Sequence, residues 1–175
     1  PLYTAPEMNH QLKDSGAKVL VIIDMFADKL SAALQGTQVK HVVLASVVDF
    51  FPQPKQALLK TVLKYVKKAV PKCPMAAVTL PRALKLGRAH LGKGLNRINS
   101  LTREDTAVLQ YTGGTTGVAK GAELTHGNLL TNLAQVQTLT ANVTQEGKEV
   151  VLTALPLYHI FAFTANMLTF LATGG

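Results

Sequence analysis

Two short apolar runs, AKVLVII ending before Asp24 and HVVLAS from His41, flank a stretch from Phe26 to Leu34 with helical spacing. A strand that reaches the next strand through a helix makes a parallel pair, because antiparallel neighbours need only a tight turn. The pattern therefore predicts an α/β fold, a largely parallel sheet flanked by helices. Ahead of it, Pro6-Glu7 opens an amphipathic helix through Leu12 that Gly16 stops.

The same grammar returns after Glu104-Asp105. AVLQYT reads as a strand, GGTTGVAKG as a loop and AEL as a short strand. Thr125 N-caps a helix carrying Leu129, Leu130, Leu133 and Val136 on one face. Thr125, His126 and Asn128 are read as that helix's cap and first turn rather than as a site. VVLTAL, from Val150, reads as a further buried strand, followed by a helix beginning near Pro156. Val150 to Gly175 holds no Asp, Glu, Lys or Arg, but its cleanest apolar stretch, Ile160 to Ala172, is shorter than the ~20 residues of a spanning helix.

Between these halves lies a stretch of different character. Twelve of the eighteen basic residues fall between Lys55 and Arg103, and no acidic residue occurs between Asp49 and Glu104. Residues 55–72 project onto a helical wheel with Leu58, Leu59, Val62, Leu63, Val66, Ala69 and Val70 on one arc. Lys60, Lys64, Lys67 and Lys68 lie opposite. This reads as a basic helical insert, about 52–103, whose lysine face is either solvated or docked on anionic membrane; Arg82, Lys85, Arg88, Lys93, Arg97 and Arg103 extend its field. The net charge of +8 also suits nucleic acid, but few aromatics are placed for base stacking and no recognition motif is present, so no nucleic-acid partner is expected.

Cys73 is the only cysteine, which excludes an internal disulfide, and no Cys/His pair has zinc-site spacing. A reducing, cytoplasmic setting is expected. The start, PLYTAPEMNH, lacks the features of a signal peptide, and both ends read as cut from a longer chain.

The chemistry concentrates in Tyr111-Thr-Gly-Gly-Thr-Thr-Gly-Val-Ala-Lys120-Gly121. Gly113, Gly114 and Gly117 let backbone N–H groups approach an anion; Thr112, Thr115 and Thr116 add hydroxyl donors; Lys120 adds a mobile positive charge. A flexible turn would need the glycines alone; the Thr-Thr-Gly-x-x-Lys-Gly spacing points to a polyphosphate. A Walker A loop is excluded because Lys120 is followed by Gly121 rather than Ser or Thr, and the Rossmann glycine offsets are absent.

This segment resembles the phosphate loop of the adenylate-forming superfamily, Tyr-Thr-Ser-Gly-Thr-Thr-Gly-x-Pro-Lys-Gly, and departs from it at Gly113 and Ala119, which should leave the loop more mobile. LQYTGGTTGVAKGAELTHGN, PLYTAPEMNHQLKDSGA and LTALPLYHIFAFT together resemble bacterial long-chain fatty-acid CoA ligases, so the likeness runs from Pro1 to Gly175. It implies part of the large N-terminal AMP-binding domain, with the phosphate loop at 111–121. The implied reaction joins a fatty acid to CoA at the expense of ATP, through an acyl-adenylate. The implied ligands are ATP, Mg²⁺ and CoA, with Tyr111, Thr112, Gly113, Gly114, Thr115, Thr116, Gly117 and Lys120 on the nucleotide and Thr115 or Thr116 near the metal.

From the residues alone, His159 is better explained as a hydrogen-bonded core histidine than as a catalytic one; the resemblance instead sets it beside the reacting carboxylate as an electrostatic donor. The implied location is the cytoplasm, peripheral on the inner face of the plasma membrane, and an oligomer is compatible. The family's adenine, ribose and catalytic-lysine motifs are absent from the sequence, so this chain alone is expected to turn over little or not at all. An amino-acid- or aryl-acid-activating adenylation domain, and a membrane-binding module without catalysis, remain the alternatives.

Overall fold

A computed structural model describes residues 3–91, 100–112 and 118–175. The chain divides into two compact units, residues 2–97 and residues 98–175 together with Pro1.

The first unit opens with α1 (Ala5–Asp14), whose start is fixed by a reciprocal cap. The Thr4 N–H donates to Glu7 Oε2 at 2.7 Å, and the Glu7 N–H donates back to Thr4 Oγ1 at 3.5 Å. Gly16, at φ +61°, takes the left-handed turn that ends the helix. Strands β1 (Val19–Ile23) and β2 (His41–Ala45) pair in parallel, with Val19 opposite His41 and Ile23 opposite Ala45. A 3₁₀ turn (Asp24–Lys29) runs into α2 (Leu30–Ala33) between them, so the expected helix is present but its first turns are tighter than α-helical. Asn9 reaches across from α1 and donates to the carbonyls of Ala33 (3.0 Å) and Gln35 (2.8 Å), which satisfies acceptors that the end of α2 leaves open. Ala27, Leu30 and Val42 form the buried centre, with Leu20 and Ile22 packed on it.

Only that face of β1 is covered, and it is covered in part. Val21, on the other face, is 61% exposed, so a run whose apolar sequence and helix-flanked sheet imply a buried strand is half-buried. A run apolar at every position suits a parallel sheet covered twice, and the helices described here cover it once.

The basic stretch is not helical throughout. Helix α3 (Lys55–Thr61) continues as a π-wound turn (Val62–Val66) and stops at Lys68, which sits at φ 49°. The helix is thus shorter than 55–72, and Ala69 and Val70 fall outside it. Leu58 and Val66, expected on its apolar arc, are exposed. Downstream, β3 (Val78–Thr79) adds to β2 in parallel and leads into α4 (Leu80–Arg88), so this segment supplies part of the sheet. Lys93 and Arg97 lie outside the described residues.

The second unit is built on an antiparallel hairpin, β4 (Thr106–Thr112) and β5 (Lys120–Thr125), followed by α5 (His126–Thr140). Residues 150–155, expected as a strand, pair with nothing among the described residues: Val150 is 94% and Leu152 90% exposed. An apolar run becomes a strand only beside a neighbour that takes up its backbone hydrogen bonds. The last helix begins at Ile160 rather than Pro156, is π-wound over Ala162–Leu168, and ends as α6 (Thr169–Thr173). Among the described residues, no helix is long and apolar enough to cross a membrane.

Candidate active site

The glycine-rich loop joins two strands of one hairpin. Thr112, the last residue of β4, pairs directly with Lys120, the first of β5; Tyr111 pairs with Gly121 and Gln110 with Ala122. Directly paired residues point to the same side of an antiparallel ladder, and side chains alternate along each strand. Gln110, Thr112, Lys120 and Ala122 therefore share one face, and Tyr111 takes the other. A hydroxyl and an ammonium thus stand side by side where the loop leaves the hairpin, both exposed. The loop returns into a strand, whereas a Walker A loop enters a helix, so the topology excludes that motif independently of the sequence.

Gly113, Gly114, Thr115, Thr116 and Gly117 lie outside the described residues, and with them the assignment of Thr115 and Thr116 to a metal. Of the expected nucleotide contacts, the structure places Tyr111, Thr112 and Lys120 together at the loop's stem. Tyr111 is buried, 9% exposed, because its ring occupies the space a side chain on Gly121 would need. The pair locks the register that sets Thr112 opposite Lys120.

Thr125 and Asn128 form a reciprocal cap on α5, as expected. The Asn128 N–H donates to Thr125 Oγ1 at 3.1 Å, and the Thr125 N–H donates to Asn128 Oδ1 at 2.9 Å. Two more N–H groups of the first turn, on His126 and Gly127, donate to the carbonyls of Asp105 (3.0 Å) and Arg103 (2.7 Å). This helix start is filled by its own chain. The turn before β4 is held by Asp105, whose carboxylate accepts from the Thr102 N–H (2.6 Å) and hydroxyl (3.1 Å). Those two bonds, the backbone one first, hold the Asp105 pKa below its ordinary value, with a smaller contribution from His126.

His159 lies exposed in the turn that starts the final helix. Its N–H donates to the Pro156 carbonyl (2.9 Å), and its Nδ1 accepts from the Phe161 N–H (3.3 Å). With Nδ1 an acceptor, the neutral ring carries its proton on Nε2, which leaves that nitrogen a donor. The segment is tied to the hairpin by Gln110, whose Nε2 donates to the Tyr158 carbonyl at 3.0 Å. Sequence reading missed Gln110. Its signal was its place in the strand, two residues before Thr112 and so on the loop-stem face. Among the described residues, no group of three or more His, Cys, Asp or Glu could hold a metal ion.

Comparison with known proteins gives the family. The family model described as AMP-binding enzyme matches residues 1–175. The long-chain-fatty-acid–CoA ligase of Escherichia coli O157:H7 is 48% identical over 177 residues, covering 100% of this chain and 31% of that protein. The ligase of the same name from Yersinia pestis is 47% identical over 176 residues, with the same coverage. Among solved structures, a long-chain-fatty-acid CoA ligase from Rhodopseudomonas palustris CGA009 superposes with a TM-score of 0.59 at 21% identity, over 99% of this chain and 35% of that one. At that identity the likeness speaks for the fold alone. The chain spans about a third of the length of the curated relatives it matches, and it belongs to the AMP-binding enzyme family.

Proposed function

We propose that this chain supplies the triphosphate grip, and part of the carboxylate environment, of an ATP-dependent long-chain fatty-acid–CoA ligase. The observation that carries the reading is the direct pairing of Thr112 with Lys120 at the mouth of the glycine- and threonine-rich loop. The 48% identity to a long-chain-fatty-acid–CoA ligase over the whole chain supplies the substrate class.

In this reading the fatty-acid carboxylate attacks the α-phosphorus of ATP, and pyrophosphate leaves as the acyl-adenylate forms. The CoA thiol then displaces AMP, with loss of its proton, to give the thioester. The chain's contribution to the first step is electrostatic. Lys120, the Thr112 hydroxyl and the loop's N–H groups take up charge on the β- and γ-phosphates as it grows on the leaving pyrophosphate. His159, with its donor at Nε2, offers a hydrogen bond where carboxylate and α-phosphate must approach despite like charge. No base is required, since the acid is already ionised at neutral pH. Mg²⁺ would arrive on the triphosphate's own oxygens and supply further charge neutralisation, with Thr115 or Thr116 as its protein neighbours.

A long-chain acid reaches such an enzyme from a lipid phase, and the surface around α3 suits that source. Phe50 is 81% exposed, and Tyr65 and Val66 are exposed beside Lys64, Lys67 and Lys68. This mixture of apolar and cationic groups favours peripheral contact with an anionic membrane, on the cytoplasmic side in a cell. The test of the reading is product analysis with the full-length protein. Incubation with ATP, Mg²⁺, CoA and separate long-chain, aryl and amino acids should yield a CoA thioester with the long-chain acid. Exclusive activation of an amino or aryl acid would replace this reading with another adenylation activity.

A further inference from the structure

Among the described residues, the segment leading to His159 is held by few bonds to the rest of the chain. From 150 to 155 the chain pairs with no described strand, and among the described residues His159 bonds locally, to Pro156, Phe161 and Phe163. Against this stands one side-chain bond across 48 positions, from Gln110 Nε2 to the carbonyl of Tyr158, the residue next to His159. Gln110 is on the same strand face as Thr112, and Thr112 is paired with Lys120. The amide therefore fixes the histidine's backbone to the side of the hairpin that carries the loop stem.

We propose that Gln110 is a positioning residue for His159: its amide holds the Tyr158 carbonyl and so keeps the imidazole on the loop-stem face of the hairpin. The inference rests on the ligase reading of His159. Glutamine fits the task because its amide N–H₂ donates to a carbonyl without adding charge beside an anionic substrate. Glutamate has the same shape but, ionised, cannot donate and repels the Tyr158 carbonyl; leucine keeps the bulk and removes the polarity.

The experiment is a double-mutant cycle in the full-length protein, reading fatty-acid-dependent ATP–pyrophosphate exchange. Gln110→Glu and Gln110→Leu should each lower kcat about tenfold when His159 is present and by less than about twofold in the His159→Ala background, since a group acting through another loses its effect when that other is gone. The KM for ATP and the thermal midpoint should stay near wild type in Gln110→Leu. In Gln110→Glu, whose charge also opposes the phosphates, the readout is the dependence of the kcat loss on His159, and this variant serves alone if the leucine variant does not fold. Equal losses in both backgrounds, or no loss in either, would overturn the tether and leave the role of His159 standing. Full activity of His159→Ala itself would overturn the tether together with the reading of His159.

Discussion

The ring of Tyr111 rests against the backbone of Gly121. A Cβ added to that glycine would stand 2.9 Å from Tyr111 Cζ and 3.0 Å from Cε2, closer than a carbon atom can sit without a shift. The two residues are direct partners across the hairpin. Their contact is a packing lock at the base of the proposed phosphate loop: the aromatic ring is buried because its partner has no side chain. Gly121 does not adopt a positive φ, so its requirement is for space and not for backbone freedom.

Gly121→Ala should therefore destabilise the protein by about 1–3 kcal/mol, the range for overpacking a tight site. Adding Tyr111→Leu should relieve the clash, so that the double variant loses less than the sum of the two single losses. Chemical denaturation of the three variants measures this. Additive losses would mean that ring and glycine do not sense each other.

Asp105 gives a pH signature. The Thr102 donors lower its folded pKa below its unfolded value, so its contribution is fully present above the unfolded value and is lost as pH falls through the folded one. Glu7, lowered chiefly by the Thr4 N–H, carries the same sign. Stability measured against pH should fall on acidification more steeply in wild type than in Asp105→Asn. Parallel curves would remove Asp105 from the acid response.

The lysines around α3 are not equivalent. Lys60 is paired with Asp49 at 2.7 Å, which cancels locally a charge that the sequence left without a neighbour, whereas Lys64, Lys67 and Lys68 are exposed. Replacing those three with Gln should weaken binding to anionic vesicles more than Lys60→Gln does. Binding should also fade as salt shortens the Debye length from about 10 Å at 0.1 M. Co-sedimentation decides; equal binding by all variants, or no salt dependence, would leave a solvated surface.

Local rules carried much of this molecule's design. Thr4 with Glu7, Thr125 with Asn128, and Gly16 act within a few positions, so the starts of α1 and α5 and the end of α1 were readable from residue types alone. So was the parallel pair β1–β2, because its crossover carries helical spacing. Three features depend on partners distant in sequence and were not readable. Two-residue β3 is too short to show alternation and exists because β2 offers an edge. Val150 and Leu152 have strand composition but pair with no strand among the described residues. The charge of Lys60 is answered by Asp49, eleven positions earlier. At the site, the loop's motif was visible in the sequence because it lies in eleven consecutive residues, but the bond from Gln110 to Tyr158 spans 48 positions and leaves no local pattern.

The central claim, that Lys120 at the hairpin mouth grips the phosphates of ATP while a fatty acid is activated, is tested most directly by ATP–pyrophosphate exchange in the full-length protein and its Lys120→Ala variant. The account predicts exchange that requires a long-chain acid. It also predicts a KM for ATP raised about 10- to 100-fold in the variant, which corresponds to losing one charge-assisted contact of about 1.5–3 kcal/mol. Exchange that proceeds without the acid, or a variant whose KM for ATP matches wild type, would contradict it.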